Sequence, residues 1–276
     1  MTRYFVPTLL ASLALAIPSM GGSVPSVVPL LQTGYQQMYN LDFDRAHQTF
    51  AEWERQRPDD PLGHVSNAAA YLFAEFDRLH ILQSEFFVND DRFRHAKKLI
   101  PDASVRQAFD GELAKAEELA NGILARTPQD ADALFANILT MGLRADYAAL
   151  IDKRYLDSLR VIKGSRETAE KLLSIAPNYY DAYLAIGVEN YMLSLKAAPV
   201  RWLLQLGGAQ VDRERGIQNL RLTAEKGQYL SPYARLLLAV AALRNKEPGQ
   251  ARDLLIGLVR DFPHNRLYSE ELARLQ

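Results

Sequence analysis

"GYQQMYNLDFDRAHQTFAEWERQRP", Gly34 to Pro58, ends on a proline whose upstream spacing decides the fold. Phe50, Ala46 and Gly34 lie eight, twelve and twenty-four residues before it. In a pair of antiparallel helices, small residues such as Gly34 and Ala46 sit where the two backbones come closest, and a large ring such as Phe50 fills the wedge toward the next pair. The proline ends one helix, and the polar residues after it start another. The pattern recurs at "ARTPQDADALFA", "IAPNYYDAYLAIG" and "RDFPHNRLY". Reading back from Pro128 gives Ala120 and Ala116; from Pro177, Ala169 and Ser165; from Pro263, Leu255, Ala251 and Ala239. Forward of Pro58 and Pro177, Ala68 and Gly187 occupy the close-packing position.

These spacings resemble those of the tetratricopeptide repeat, and the resemblance covers the chain from Gly34 onward. It implies an all-α fold, a TPR-like right-handed superhelical solenoid of about five helix pairs with a C-terminal capping helix after His264. The first helices of the pairs are expected near Val27, Pro61, Ala131, Tyr180 and Pro232. A single pair cannot bury its apolar face, so stacking into one domain, residues 23–276, is obligatory.

The proline-to-proline intervals are 70, 49 and 86 residues. They exceed whole multiples of a repeat of about 34 residues, and the excess falls after Tyr71, Met141 and Tyr191, between the first and second helix of a pair. Equivalent insertion points lie along one edge of a solenoid, so lengthened helices and insertions are expected side by side there.

The third insertion carries "KAAPVRWLLQLGG", residues 196–208. Pro199 suits a first helical turn, Gly207 and Gly208 a stop, and Trp202, Leu203 and Leu206 one apolar side. The leading expectation is packing across the array's own groove, ahead of contact with a partner and of shallow membrane insertion. Asp212 is placed to cap the following helix, with Gly216 at a close-packing position and Ile217 and Leu220 facing inward. Pro199, Leu203-Leu204, Gly207, Asp212-Arg213, Gly216-Ile217 and Leu220 together resemble a segment of the tetratricopeptide repeat protein 39 family, over residues 196–220. That likeness implies an adaptor-like protein.

Composition narrows the function classes. Thirty-two basic and thirty-three acidic residues give a net charge of −1, so no global field draws nucleic acid or an anionic membrane. The absence of cysteine excludes disulfides, thiolate metal sites and thiol nucleophiles. Arg3, the apolar run "YFVPTLLASLALAI" and the small-residue stretch "PSMGGS" read as a secretory signal peptide over residues 1–22, which makes the chain secreted or periplasmic. The alternative is tethering to a membrane by that segment uncleaved.

Chemistry is sparse. GxxxxGK[ST], HExxH and GxSxG do not occur. His80 and His95, with Glu85, Asp90 and Asp91 between them, read as a solvated turn better than as a metal site, because their spacing is irregular. No catalytic residue, metal or cofactor is expected. The tetratricopeptide resemblance implies a concave groove lined by Tyr35 and Tyr39; Leu72 and Phe73; Phe135 and Leu139; Leu184, Val188 and Tyr191; and Tyr233, with Trp202 above it. Such an apolar, aromatic lining is expected first to be filled by the array's own insertions, and otherwise to take a hydrophobic or amphipathic protein segment. The resulting expectation is a non-catalytic protein–protein interaction scaffold or adaptor. A helical enzyme or small-molecule carrier with a site under the inserted edge is the alternative.

Overall fold

In the computed structural model, residues 28–81, 99–196, 205–206 and 208–275 are described. Eleven α-helices occur among them: α1 (Val28–Tyr39), α2 (Phe43–Gln56), α3 (Pro61–Arg78), α4 (Ala103–Arg126), α5 (Ala131–Asp146), α6 (Tyr155–Ile175), α7 (Tyr183–Ser194), α8 (Arg213–Lys226), α9 (Ser231–Arg244), α10 (Pro248–Asp261) and α11 (Arg266–Ala273). Five pairs, α1/α2, α3/α4, α5/α6, α7/α8 and α9/α10, pack helix on helix and against the neighbouring pair, and α11 caps α10. The fold is thus the expected all-helical array of TPR-like pairs.

The turns between pairs share one geometry with a local cause. Arg57, Thr127, Ala176 and Phe262 each precede a proline and adopt φ of −139°, −132°, −136° and −132° with ψ between 68° and 82°. A proline ring clashes with a helical residue before it, so each helix must stop there. The backbone N–H groups of Asp60, Asp130 and Asn265 then donate to the carbonyls of Arg57, Thr127 and Phe262. The side chains of the same three residues accept from Leu62, Ala133 and Leu267 N–H, capping α3, α5 and α11. The turn before α9 lacks the proline. There the buried carboxylate of Asp181 accepts from the N–H groups of Gln228, Tyr229 and Leu230 and does the same work.

The small residues lie where the spacing placed them. Ala46, Ala116, Ala120, Ala169 and Ala251 are wholly buried. A Cβ on Gly34 would overlap the Phe50 ring, so only glycine lets α1 lie this close to α2. The second helices after the first two insertions are long, with 24 residues in α4 and 21 in α6 against 14 in α2, α8 and α10. One stretch among the described residues, Ala131–Ile151, is long and apolar enough to cross a membrane, and half of it is buried inside the array.

The array closes on itself. Asn265 Nδ2 donates to the Tyr39 carbonyl at 2.7 Å, His264 N–H to Asn40 Oδ1 at 3.1 Å, and Gln36 Nε2 to the Asp261 carbonyl at 2.9 Å. Arg266 reaches both carboxylate oxygens of Asp77 on α3. The end of α10 and the start of α11 therefore reach α1 and α3, and aromatic contacts join the two ends of the array.

Candidate functional site

The candidate groove residues form the wall of that closed core. Tyr35 packs on Tyr229 with ring centroids 5.0 Å apart, Tyr39 on Phe262 at 5.6 Å, and Phe73 on Tyr233 at 5.7 Å. Phe135 meets Tyr229 at 6.3 Å. Tyr35, Tyr39, Leu72, Phe135 and Tyr191 are buried, and Phe73, Leu139, Leu184 and Tyr233 are half-buried and packed against the same core. Val188 packs against a smaller cluster around Tyr191 and Leu220. Of the two expectations for this lining, filling by the chain itself or uptake of a hydrophobic segment, the ring contacts favour the first, with aromatic side chains near the C-terminal helices as the neighbours. Tyr35, Tyr39, Phe73 and Phe135 thus meet Tyr229, Tyr233 and Phe262 from the C-terminal part of the chain, whereas Tyr191 and Val188 belong to the separate cluster. Burial also pushes the Tyr35 and Tyr39 hydroxyls upward, away from ionisation. Trp202 and the signal segment 1–22 lie outside the described residues, as do Glu85, Asp90, Asp91 and His95; His80 is exposed at the end of α3.

Among the described residues, those flanking the first and second insertions touch, as do those of α6 and those flanking the third. A π-helical turn, Tyr147–Ile151, ends α5, and its Tyr147 ring stacks on Phe109 of α4 at 5.3 Å. The Arg106 guanidinium lies 3.9 Å over that ring and also reaches Asp152 at 3.5 Å, fixing the start of α4 beside the second insertion. From α6, Arg166 reaches the Gly208 carbonyl at 3.4 Å and pairs with Glu189 of α7 at 2.5 Å, tying the second insertion to the third. Asp212 caps α8 through Arg215 N–H, and Asn190 Oδ1 accepts from Asp212 N–H. Of the seven exposed large apolar side chains among the described residues, Ile100, Tyr155, Leu156, Met192 and Leu206 border these insertions, with Leu156 at 82% and Leu206 at 66% exposure.

Two surface depressions, of about 530 and 380 Å³, lie elsewhere. The smaller joins α8, α9 and α10 near Arg221, Arg235 and Asp253, a mixed-charge surface. The larger, bordered by His64, Gln107, Glu112 and Lys115, opens beside a polar cluster that sequence reading missed. There His64 Nδ1 lies 2.7 Å from Glu112 Oε2 and 3.7 Å from Glu54 Oε1. Asn67 Nδ2 donates to Glu54 Oε1 at 3.2 Å and to Glu112 Oε1 at 3.1 Å. His47 Nδ1 lies 2.6 Å from Asn67 Oδ1, and its ring rests on Tyr71 with centroids 4.0 Å apart. Burial and the neighbouring Glu112 charge push the Glu54 carboxyl up. Burial alone would lower His64, but the Glu112 hydrogen bond and the two carboxylate charges outweigh it and raise the imidazole. The signal in the sequence was register: Glu54 and His64 flank the Pro58 turn, so the last turn of α2 meets the first of α3.

No family model and no curated protein matches the chain, so the likeness of residues 196–220 to the tetratricopeptide repeat protein 39 family gains no support. Among solved structures, the chain is similar to a thermophilic TPR protein of Thermus thermophilus, with 15% identity, 91% of this chain and 98% of that one covered, and a TM-score of 0.45.

Proposed function

We propose that the chain is a non-catalytic protein-interaction scaffold whose partner-binding surface is the inserted edge, with the former groove serving as its rigid core. The observation that carries this reading is that five of the seven exposed large apolar side chains among the described residues, Ile100, Tyr155, Leu156, Met192 and Leu206, flank the insertions in the chain. Scattered exposed leucines are ordinary on a soluble surface; a concentration of exposed apolar side chains beside the insertions suits an interaction site. The chemistry suits an apolar or amphipathic protein segment. In this reading residues 1–22 are a secretory leader and 23–276 the mature array, so the partner is met in the cell envelope or outside the cell.

The test places a photoreactive residue at Leu156 in one full-length version and at Phe73 in another, followed by irradiation in the native envelope. The reading predicts a discrete partner adduct from Leu156 and only intramolecular products from Phe73. Adducts from Phe73 would return the binding surface to the groove, and intramolecular products alone from both positions would reject the scaffold.

A further inference from the structure

We propose that Glu54, His64 and Glu112 form a divalent-cation site, with Zn²⁺ as its natural occupant, that clamps the first two repeats together. Each residue comes from a different helix, α2, α3 and α4, and one ligand atom from each lies within 4.8 Å of the other two. Zn²⁺ binds imidazole nitrogen and carboxylate oxygen at about 2.0–2.2 Å, which puts neighbouring tetrahedral ligands about 3.4 Å apart. The present separations, 2.7 Å and 3.7 Å from His64 Nδ1, bracket that value, so small side-chain rotations suffice.

The surroundings are those of a ligand set held in place. Asn67, buried on α3, directs its two N–H donors at Glu54 and Glu112, one to each carboxylate. Its amide is oriented by His47, whose Nδ1–H donates to Oδ1, and His47 is in turn packed on Tyr71. Such outer contacts fix ligand direction and are worth about 10–100-fold in metal affinity. Two half-buried carboxylates converge on one imidazole, and Lys115 at the rim pairs with Glu118. A divalent ion neutralises both. His64 and Glu112 both border the open depression, which leaves room for water as a fourth ligand. One nitrogen and two oxygens, with no thiolate, suit Zn²⁺ among first-row ions and fall short of the six to eight oxygens calcium takes.

The test titrates the chelator-stripped full-length protein with Zn²⁺ by calorimetry and with Co²⁺ by absorption. Wild type should bind one equivalent, show the d–d bands of a four-coordinate N/O site, and gain thermal midpoint. His64→Gln, which keeps a hydrogen-bonding amide beside Glu112, and Glu112→Gln should each weaken binding at least 100-fold, and Asn67→Ala about 10–100-fold. His80→Gln and His264→Gln should bind as wild type. Circular dichroism confirms that each variant is folded, and His64→Gln decides if Glu112→Gln is not. No heat and no cobalt spectrum with folded wild type, or unchanged affinity in folded His64→Gln, would overturn the site.

Discussion

Gly187 on α7 and Gly216 on α8 face each other so closely that a Cβ on either would lie 3.1 Å from the other's carbonyl oxygen. At Gly216 the same Cβ would also come within 2.7 Å of the Tyr191 backbone nitrogen. Backbone atoms cannot swing aside as a side-chain end can. Gly216→Ala should therefore destabilise the fold by about 1–3 kcal/mol despite alanine's better helix propensity. A methyl group added at Gly122 on α4 would meet nothing within 4 Å, so Gly122→Ala should stabilise by about 1 kcal/mol. Urea unfolding of the two variants, compared at equal m-value, separates the cases.

Closure of the array rests on few polar ties. Asn265 both caps α11 through Leu267 N–H and donates to the Tyr39 carbonyl. Asn265→Ala removes the cap and leaves a buried carbonyl without its donor, a loss of about 2–4 kcal/mol in all. The effect should be regional: amide exchange in α9 to α11 and in α1 should speed up, while α5 and α6 keep wild-type protection. Uniform acceleration across all helices would mean that the loss is not confined to the closure.

Much of this architecture was legible because its causes are local. Pro58, Pro128, Pro177 and Pro263 dictate the geometry of the residue before them, and Gly34, Ala46 and Gly187 report a close approach wherever they fall in the period. Closure is different in kind. Whether Tyr35 lines an open groove or packs on Tyr229 depends on small rotations accumulated over five pairs, lengthened unequally by the insertions, and no single residue encodes that sum. The Glu54–His64–Glu112 cluster was hidden for a related reason. Glu112 lies 48 residues from His64, across the first insertion, so spacing alone cannot align α4 with α3.

Asp146, at the end of α5, accepts a hydrogen bond from the Tyr233 hydroxyl at 3.4 Å, and crowding of its carboxyl by protein raises it to about 7. A carboxyl raised in the fold is held more tightly as the neutral acid than in the unfolded chain, where it titrates near 3.9. Its contribution is thus fully present below that value and is lost as pH rises through about 7. Asp146→Asn cannot ionise. It should melt above wild type at pH 8, with the advantage shrinking as pH falls toward 5, in a series of thermal scans.

Among the described residues, four outside the glycines adopt left-handed backbone at helix ends: Leu41, His80, Lys153 and Lys246, with φ between 57° and 63°. At Lys246 the turn is closed by Glu247 N–H donating to the Ala242 carbonyl, the six-residue bond of a helix terminated by a left-handed residue. A side chain there costs about 1–2 kcal/mol relative to glycine, partly offset by glycine's greater freedom in the unfolded chain. Lys246→Gly should stabilise by about 0.5–1 kcal/mol, and Lys246→Val should destabilise, in parallel denaturant titrations.

The buried ion pair between Arg166 and Glu189, with side chains 6% and 1% exposed, is asymmetric in a testable way. Arg166 also reaches Glu170 at 2.6 Å, Glu167 at 3.3 Å and the Gly208 carbonyl, whereas burial pushes the Glu189 carboxyl up against the pull of Arg166. Removing the arginine strands a buried carboxylate and releases the chain where the third insertion returns to α8. Removing the glutamate charge leaves the arginine two other acidic partners. Arg166→Leu should therefore cost about 3–5 kcal/mol, and Glu189→Gln clearly less. In a double-mutant cycle, adding Glu189→Leu to Arg166→Leu should restore part of the loss, because no unpaired charge then remains inside. Equal costs for the two single variants would show that the pair carries the edge without help from Glu170 or Glu167.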